Sequence, residues 1–257
     1  MFNLLDAYFV RLAKWKIFRA LLILMLAGGI LVGIILRDKM VVYQIPFFLG
    51  CFIFPIYVGI VIGLFNYPIF TNGTIRNQLA VGHKRKNIFF ADWLTTNFFA
   101  LVLFLLFAAG VLVTAKIFDA PGNVCWDKVF IGILLTSLQI VLFTTITQLF
   151  CVVLKGVKSF LAIYLVNQIL IVASLGAMSF EKIPKVLLYF CPSVVCLNLN
   201  YYEIPTNPLM SMGNGIEISE SLGRMTFEFL PAAGALILEI TVVYIIAALY
   251  FRKTDLN

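Results

Sequence analysis

Six times between Ala20 and Phe251 the chain passes through a long apolar run. Each is near the length of about 20 residues that carries a helix across a hydrocarbon core. The runs extend from Ala20 to Leu36, Ile45 to Phe65, Ile88 to Ala115, Val129 to Leu154, Ser159 to Met178 and Phe229 to Phe251. Lipid offers no partner to backbone amides, so a chain can cross it only as helices or as a closed barrel. Period-two alternation is absent and the runs far exceed a barrel strand, so they read as helices. With 62% of its residues apolar and only 12% charged, the chain carries about half the charged share of a soluble domain. The fold expected is all-α and polytopic, one transmembrane domain over 1–257 with six spans. The first run begins too late and is too long for a cleaved leader, and no small-residue cleavage site follows it, so it is expected to remain as an anchor.

Charge orients the bundle. With the amino terminus inside, the inner segments hold twelve of the 19 basic residues, among them Arg11, Lys14, Lys16, Arg19, Arg76, Lys84, Arg85, Lys86, Arg252 and Lys253. The outer segments hold the other seven, and eight of the 12 acids. The excess of lysine and arginine marks the cytoplasmic side, so both termini are expected there. The net charge of +7 is no nucleic-acid signature, because the basic residues form short clusters between apolar runs.

Residues 1–18 repeat Phe2, Leu5, Phe9, Leu12 and Trp15 at helical spacing, with Asn3, Asp6, Arg11 and Lys14 on other faces. They read as an amphipathic helix in the inner interface. Gly29 and Gly33, and Gly59 and Gly63, form GxxxG pairs that let helices pack closely. The stretch 179–228, with its apolar patch broken by Pro192, reads as an outer hairpin or re-entrant segment between spans five and six. Cys191 and Cys196 could pair, although an odd total of five cysteines provides no framework.

Several chemistries lack their residues. There is no G-x-x-x-x-G-K-[ST] phosphate loop, no G-x-S-x-G elbow, and His83 is the one histidine, so an H-E-x-x-H zinc site is excluded. No metal or cofactor is expected on this chain, nor a catalytic site.

The most informative stretch is the loop 67–88 between the second and third spans. Asn72-Gly73 is a turn signal, Thr74 a candidate N-cap, Ile75 to Val81 about two turns of helix, and Gly82 a left-handed terminator. Lys84, Arg85 and Lys86 follow near the negative helix end. A short capped helix held between two spans is suited to taking force from a soluble partner.

This loop resembles that of permeases of the type-2 ABC exporter family, common in Gram-positive bacteria, which reads approximately G-T-I-R-N-K-L-x-x-G-x-S-R-x-x-I. Gly73, Thr74, Ile75, Arg76, Asn77, Leu79, Gly82, Arg85 and Ile88 match, while Gln78 replaces the frequent lysine and Lys84 the frequent serine. In layout the resemblance covers the whole chain, in motif only Gly73 to Ile88. It implies a multi-pass subunit of a bacterial plasma membrane. Two such permeases, alike or sister chains, would sit on two cytosolic ATPases that hold the ATP and magnesium. Thr74, Ile75, Arg76, Asn77, Leu79, Gly82, Lys84 and Arg85 would then form the coupling element. Family members export peptides, drugs, polysaccharides, lipids or ions.

Polar residues within the spans leave two readings open. Glu239, near the middle of the sixth span, could contact a substrate or cation or exchange a proton, or it could simply pair with a neighbouring helix. Asn97, Thr144, Gln148 and Asn167 could line a translocation route or form interhelical hydrogen bonds. Asp92 and Trp93 read as an interface anchor at the start of the third span. The rival to an ATP-driven permease is a self-contained carrier or channel that uses Glu239 for ion coupling.

Overall fold

The structure is a computed structural model. It describes residues 2–37, 43, 45–71, 74–118, 126–154, 165–166, 168–169, 172, 189–190 and 229–253. Among these residues the secondary structure is helical, without strands. The elements are α1 (Phe2–Lys14), α2 (Lys16–Ile35), α3 (Ile45–Phe52), α4 (Phe54–Thr71), α5 (Thr74–Ala80), α6 (Arg85–Ile117), α7 (Trp126–Leu154) and α8 (Phe229–Lys253). Four of these helices, α2, α6, α7 and α8, are singly long and apolar enough to cross a membrane.

The second run is not one straight helix. It is a pair of helices, α3 and α4, bent by 54° at a break around Ile53. Pro55 explains the bend, because proline has no N–H to give the carbonyl one turn back. That carbonyl belongs to Cys51, and Nε2 of Gln139 on α7 donates to it at 3.2 Å. Gln139 is fully buried, so α7 provides inside the bundle the donor that proline withholds. The fifth run, with Asn167, and the expected hairpin at 179–228 lie outside the described residues apart from a few isolated positions. Cys191 and Cys196 lie outside them as well.

α6 and α7 form the centre, with more than half of each span's apolar window buried. α2 packs along α6, α8 packs on α7 and α6, and α3 and α4 pack on α7. The α2–α6 contact is made backbone to backbone. A Cβ on Gly29 would stand 2.4 Å from the Phe107 carbonyl oxygen, and one on Gly33 would stand 2.7 Å from Thr114 Cβ. The first GxxxG pair therefore does what small residues do between helices in lipid, bringing two backbones together. The outer faces of α2 and α8 remain apolar and exposed, through Ile23, Leu24, Leu31, Leu238, Ile245 and Leu249 among others.

α1 is the separate amphipathic helix expected, but protein covers its apolar face. Its most buried stripe is Leu4, Tyr8 and Leu12, and the stripe is covered by protein. Phe9 meets Phe98 edge to face at 5.2 Å, and Arg11 Nη2 donates to the Phe65 carbonyl at 3.4 Å. Trp15 stands in extended backbone between α1 and α2, its ring against Phe65 and Phe99.

Side-chain contacts show which helix ends share a side. The start of α6 meets the end of α8, where Phe89 stacks near Tyr244 and Phe251. α1 and α5 join that same end through Tyr8 and Gln78. At the opposite end Arg37 lies over Phe118 and Lys116 over Trp126. Lys14, Lys16, Arg19, Arg76, Lys84, Lys86, Arg252 and Lys253 are all exposed on the α1–α5–α8 end.

Candidate functional site

α5 is a seven-residue helix set at the basic end of the bundle. It begins at Thr74, so Thr74 is the first helical residue and not the cap expected from sequence. Its end is built as expected. Gly82 adopts φ +95°, the left-handed region that glycine enters without a Cβ clash. The Gly82 N–H donates to the Leu79 carbonyl at 2.9 Å and the His83 N–H to the Gln78 carbonyl at 3.1 Å. These paired bonds satisfy carbonyls that a helix end leaves orphaned. Lys84 is already the extended residue before α6, so α5 is joined to a 33-residue helix with almost no slack.

The coupling residues named from sequence divide into two groups. Ile75, 3% exposed, and the partly buried Leu79 face the bundle core, where they anchor α5. Gln78 is held as well, its Oε1 accepting from the Tyr8 hydroxyl at 3.2 Å. Arg85 turns back to the bundle, where Nη1 donates to the Arg252 carbonyl at 3.1 Å and complements the negative end of α8. Arg76, Asn77, Val81, Gly82, Lys84 and Lys86 make up the outward surface. Val81 is 79% exposed, an apolar side chain on a surface that also exposes Arg76, Lys84 and Lys86.

A second polar arrangement lies between α6 and α7. Gln148 Nε2 donates to Asp92 Oδ2 at 3.1 Å and to Thr96 Oγ1 at 2.7 Å. The Thr144 hydroxyl donates to Asn97 Oδ1, and Asn97 Nδ2 donates to the Trp93 carbonyl at 2.8 Å. Trp93 Nε1 donates to Thr145 Oγ1 at 3.0 Å. Asn97, Thr144 and Gln148 are thus brought together as interhelical partners. Asp92 is no interface anchor. It lies two turns inside α6, 5% exposed and hydrogen-bonded across the seam. Glu239 is apart from this group, half-buried on α8, with Oε2 enclosed and unpartnered. Asn167 is outside the described residues.

Tyr8 is buried on α1 and bonded to α5 through Gln78. Burial first, and then the negative charge of Asp92, push its hydroxyl pKa above the ordinary 10.0, against the opposing Gln78 bond and Arg11. Sequence reasoning missed Tyr8 and Gln78 as partners. The only local signal was a polar atom on an apolar stripe, because the groups they meet are distant in the chain. Among the described residues no three His, Cys, Asp or Glu side chains gather to hold a metal. No family model, curated protein or solved structure matches the chain.

Proposed function

We propose that this chain is the membrane-spanning subunit of an ATP-driven exporter of the type-2 ABC kind. In this reading a separate cytosolic ATPase hydrolyses ATP, and the chain converts the resulting motion into substrate passage along the interface between two permeases. The observation that carries the reading is α5. It is a short helix closed at Gly82 and anchored inward by Ile75 and Leu79. It directs Arg76, Asn77, Val81 and Lys84 outward and runs into α6 through a few residues. An element of this form passes a push on its outer face to the central helix of the bundle. The likeness of Gly73 to Ile88 to the family's loop supports the same reading. A hydrophobic or amphipathic substrate suits a route between apolar helix faces. Purification of the tagged chain from its native membrane tests the proposal. A soluble ATP-binding protein is expected to accompany it, with ATP turnover that falls several-fold in Arg76→Ala. A pure preparation without ATPase activity would refute it.

The second reading, a self-contained carrier, draws support from one observation, a carboxylate buried between spans. Two carboxyls offer it, Glu239 on α8 with Oε2 enclosed and Asp92 on α6, which is more deeply buried and hydrogen-bonded to a neighbouring helix. Ion-driven transport by the isolated chain in vesicles without ATP would favour it.

A further inference from the structure

Asp92 is the one charged residue buried within the bundle among the described residues. Its hydrogen bonds leave an imbalance. Gln148 Nε2 is shared between Asp92 Oδ2 and Thr96 Oγ1, which uses both amide hydrogens and holds the amide group against the carboxyl. The Thr96 hydroxyl hydrogen goes to the backbone, with the Asp92 carbonyl at 2.8 Å and that of Trp93 at 3.0 Å. Asn97 Nδ2 is directed to the Trp93 carbonyl, and the indole N–H of Trp93 to Thr145. The donors around the carboxyl are therefore engaged. Two acceptors remain without a partner, Asp92 Oδ1 and Gln148 Oε1. Asp92 is 5% exposed and Gln148 1%.

Arg11 of α1 donates from its guanidinium to the Phe65 carbonyl and lies 5.1 Å over the Phe65 ring. Tyr8 gives its hydroxyl to Gln78. From α8, Tyr244 packs its ring edgewise on Trp93 at 5.0 Å. Buried acceptors without donors are costly, the more so when one bears charge. In a span such a group faces either a partner or a pathway.

We propose that Asp92 and Gln148 form a binding site for one small monovalent cation, an alkali ion or a proton, held by Asp92 Oδ1 and Gln148 Oε1. A carboxylate and an amide oxygen are ligands for hard cations. One carboxylate balances one positive charge, whereas calcium gathers six or more oxygens and usually several acids. Occupancy supplies both orphan acceptors and neutralises the buried charge, so it tightens the α6–α7 seam. The site lies seven residues from Arg85, about 10 Å along α6. The inference holds whether or not an ATPase docks on α5.

The test uses the full chain purified in detergent and exchanged into N-methylglucamine buffer. Thermal unfolding is followed against sodium, potassium and lithium at fixed pH, and separately against pH without alkali ions. For an alkali ion the site predicts a saturable rise of about 5 °C with one salt, lost in Asp92→Asn. For a proton it predicts no choice among salts, but a pH dependence of the midpoint that Asp92→Asn abolishes. Asparagine carries no charge and offers a donor toward Gln148 Oε1, so Asp92→Asn is expected to fold. If it does not, radioactive sodium binding and the carboxyl infrared band of the wild-type chain decide. One ion per chain or a titrating buried-acid band supports the site, and neither overturns it. Equal responses of wild type and Asp92→Asn to both salt and pH would also overturn it.

Discussion

At the scale of single residues, two glycines separate two kinds of constraint. Gly82 needs a positive φ, yet a Cβ there would meet nothing within 4 Å. Gly82→Ala is therefore expected to destabilise by about 1 kcal/mol through backbone conformation alone. Gly29 has ordinary helical backbone, but its Cβ would strike the Phe107 carbonyl oxygen. Gly29→Ala is expected to cost about 2 kcal/mol through overpacking and to loosen α2 from α6. Unfolding by denaturant in detergent distinguishes the two, since only the second should weaken a disulfide cross-link engineered between α2 and α6. Tyr8 gives a pH prediction. Its hydroxyl pKa is raised on folding, so the unfolded chain loses the proton first. Its contribution to stability is present below pH 10.0 and is lost as pH rises above that value. Tyr8→Phe should lower stability by about 1 kcal/mol at neutral pH and flatten the alkaline part of the stability curve. Gly82 was legible because a glycine after a short apolar run and before lysines has one common use. The Tyr8–Gln78 bond was not, since it joins positions 70 residues apart.

At the scale of elements, the bend between α3 and α4 rests on one proline and one distant amide. Gln139→Leu leaves the Cys51 carbonyl without its donor and is expected to cost about 1–3 kcal/mol. In a Pro55→Ala background residue 55 can donate to Cys51 itself, so the same substitution should cost much less. A double-mutant cycle measured by unfolding reads this coupling directly, and additive effects would contradict the account of the break. The long continuous helices were legible because lipid demands an unbroken apolar run with its backbone bonds made internally. Four of the expected spans correspond to α2, α6, α7 and α8 within a few residues. The bend was less legible, because composition over 45–65 is almost wholly apolar and, of its two prolines, Pro46 sits in the first turn of α3 and only Pro55 falls inside the run. The facing of α1 was legible only in part. Leu12 was expected on the apolar stripe, but Leu4 and Tyr8 differ from Leu5 and Phe9 only by what the rest of the bundle places opposite them.

At the scale of the whole molecule, α1, α5 and the end of α8 share one basic end, with Arg37 and Lys116 at the other. A cysteine placed at Lys84 or Lys253 should react with a membrane-impermeant thiol reagent only after the inner face is opened, whereas one at Lys116 should react in intact cells. Labelling in the reverse pattern would invert the orientation. The proposed function requires the outward face of α5 to dock on a cytosolic ATPase. Its most direct test is a photo-crosslinking amino acid at Val81, the most exposed apolar side chain of that surface, activated in living cells. The account predicts one discrete adduct to a soluble ATP-binding protein, diminished when Arg76→Ala is combined with the probe. Adducts to lipid alone, or none at all while the chain is present and folded in the membrane, would contradict it.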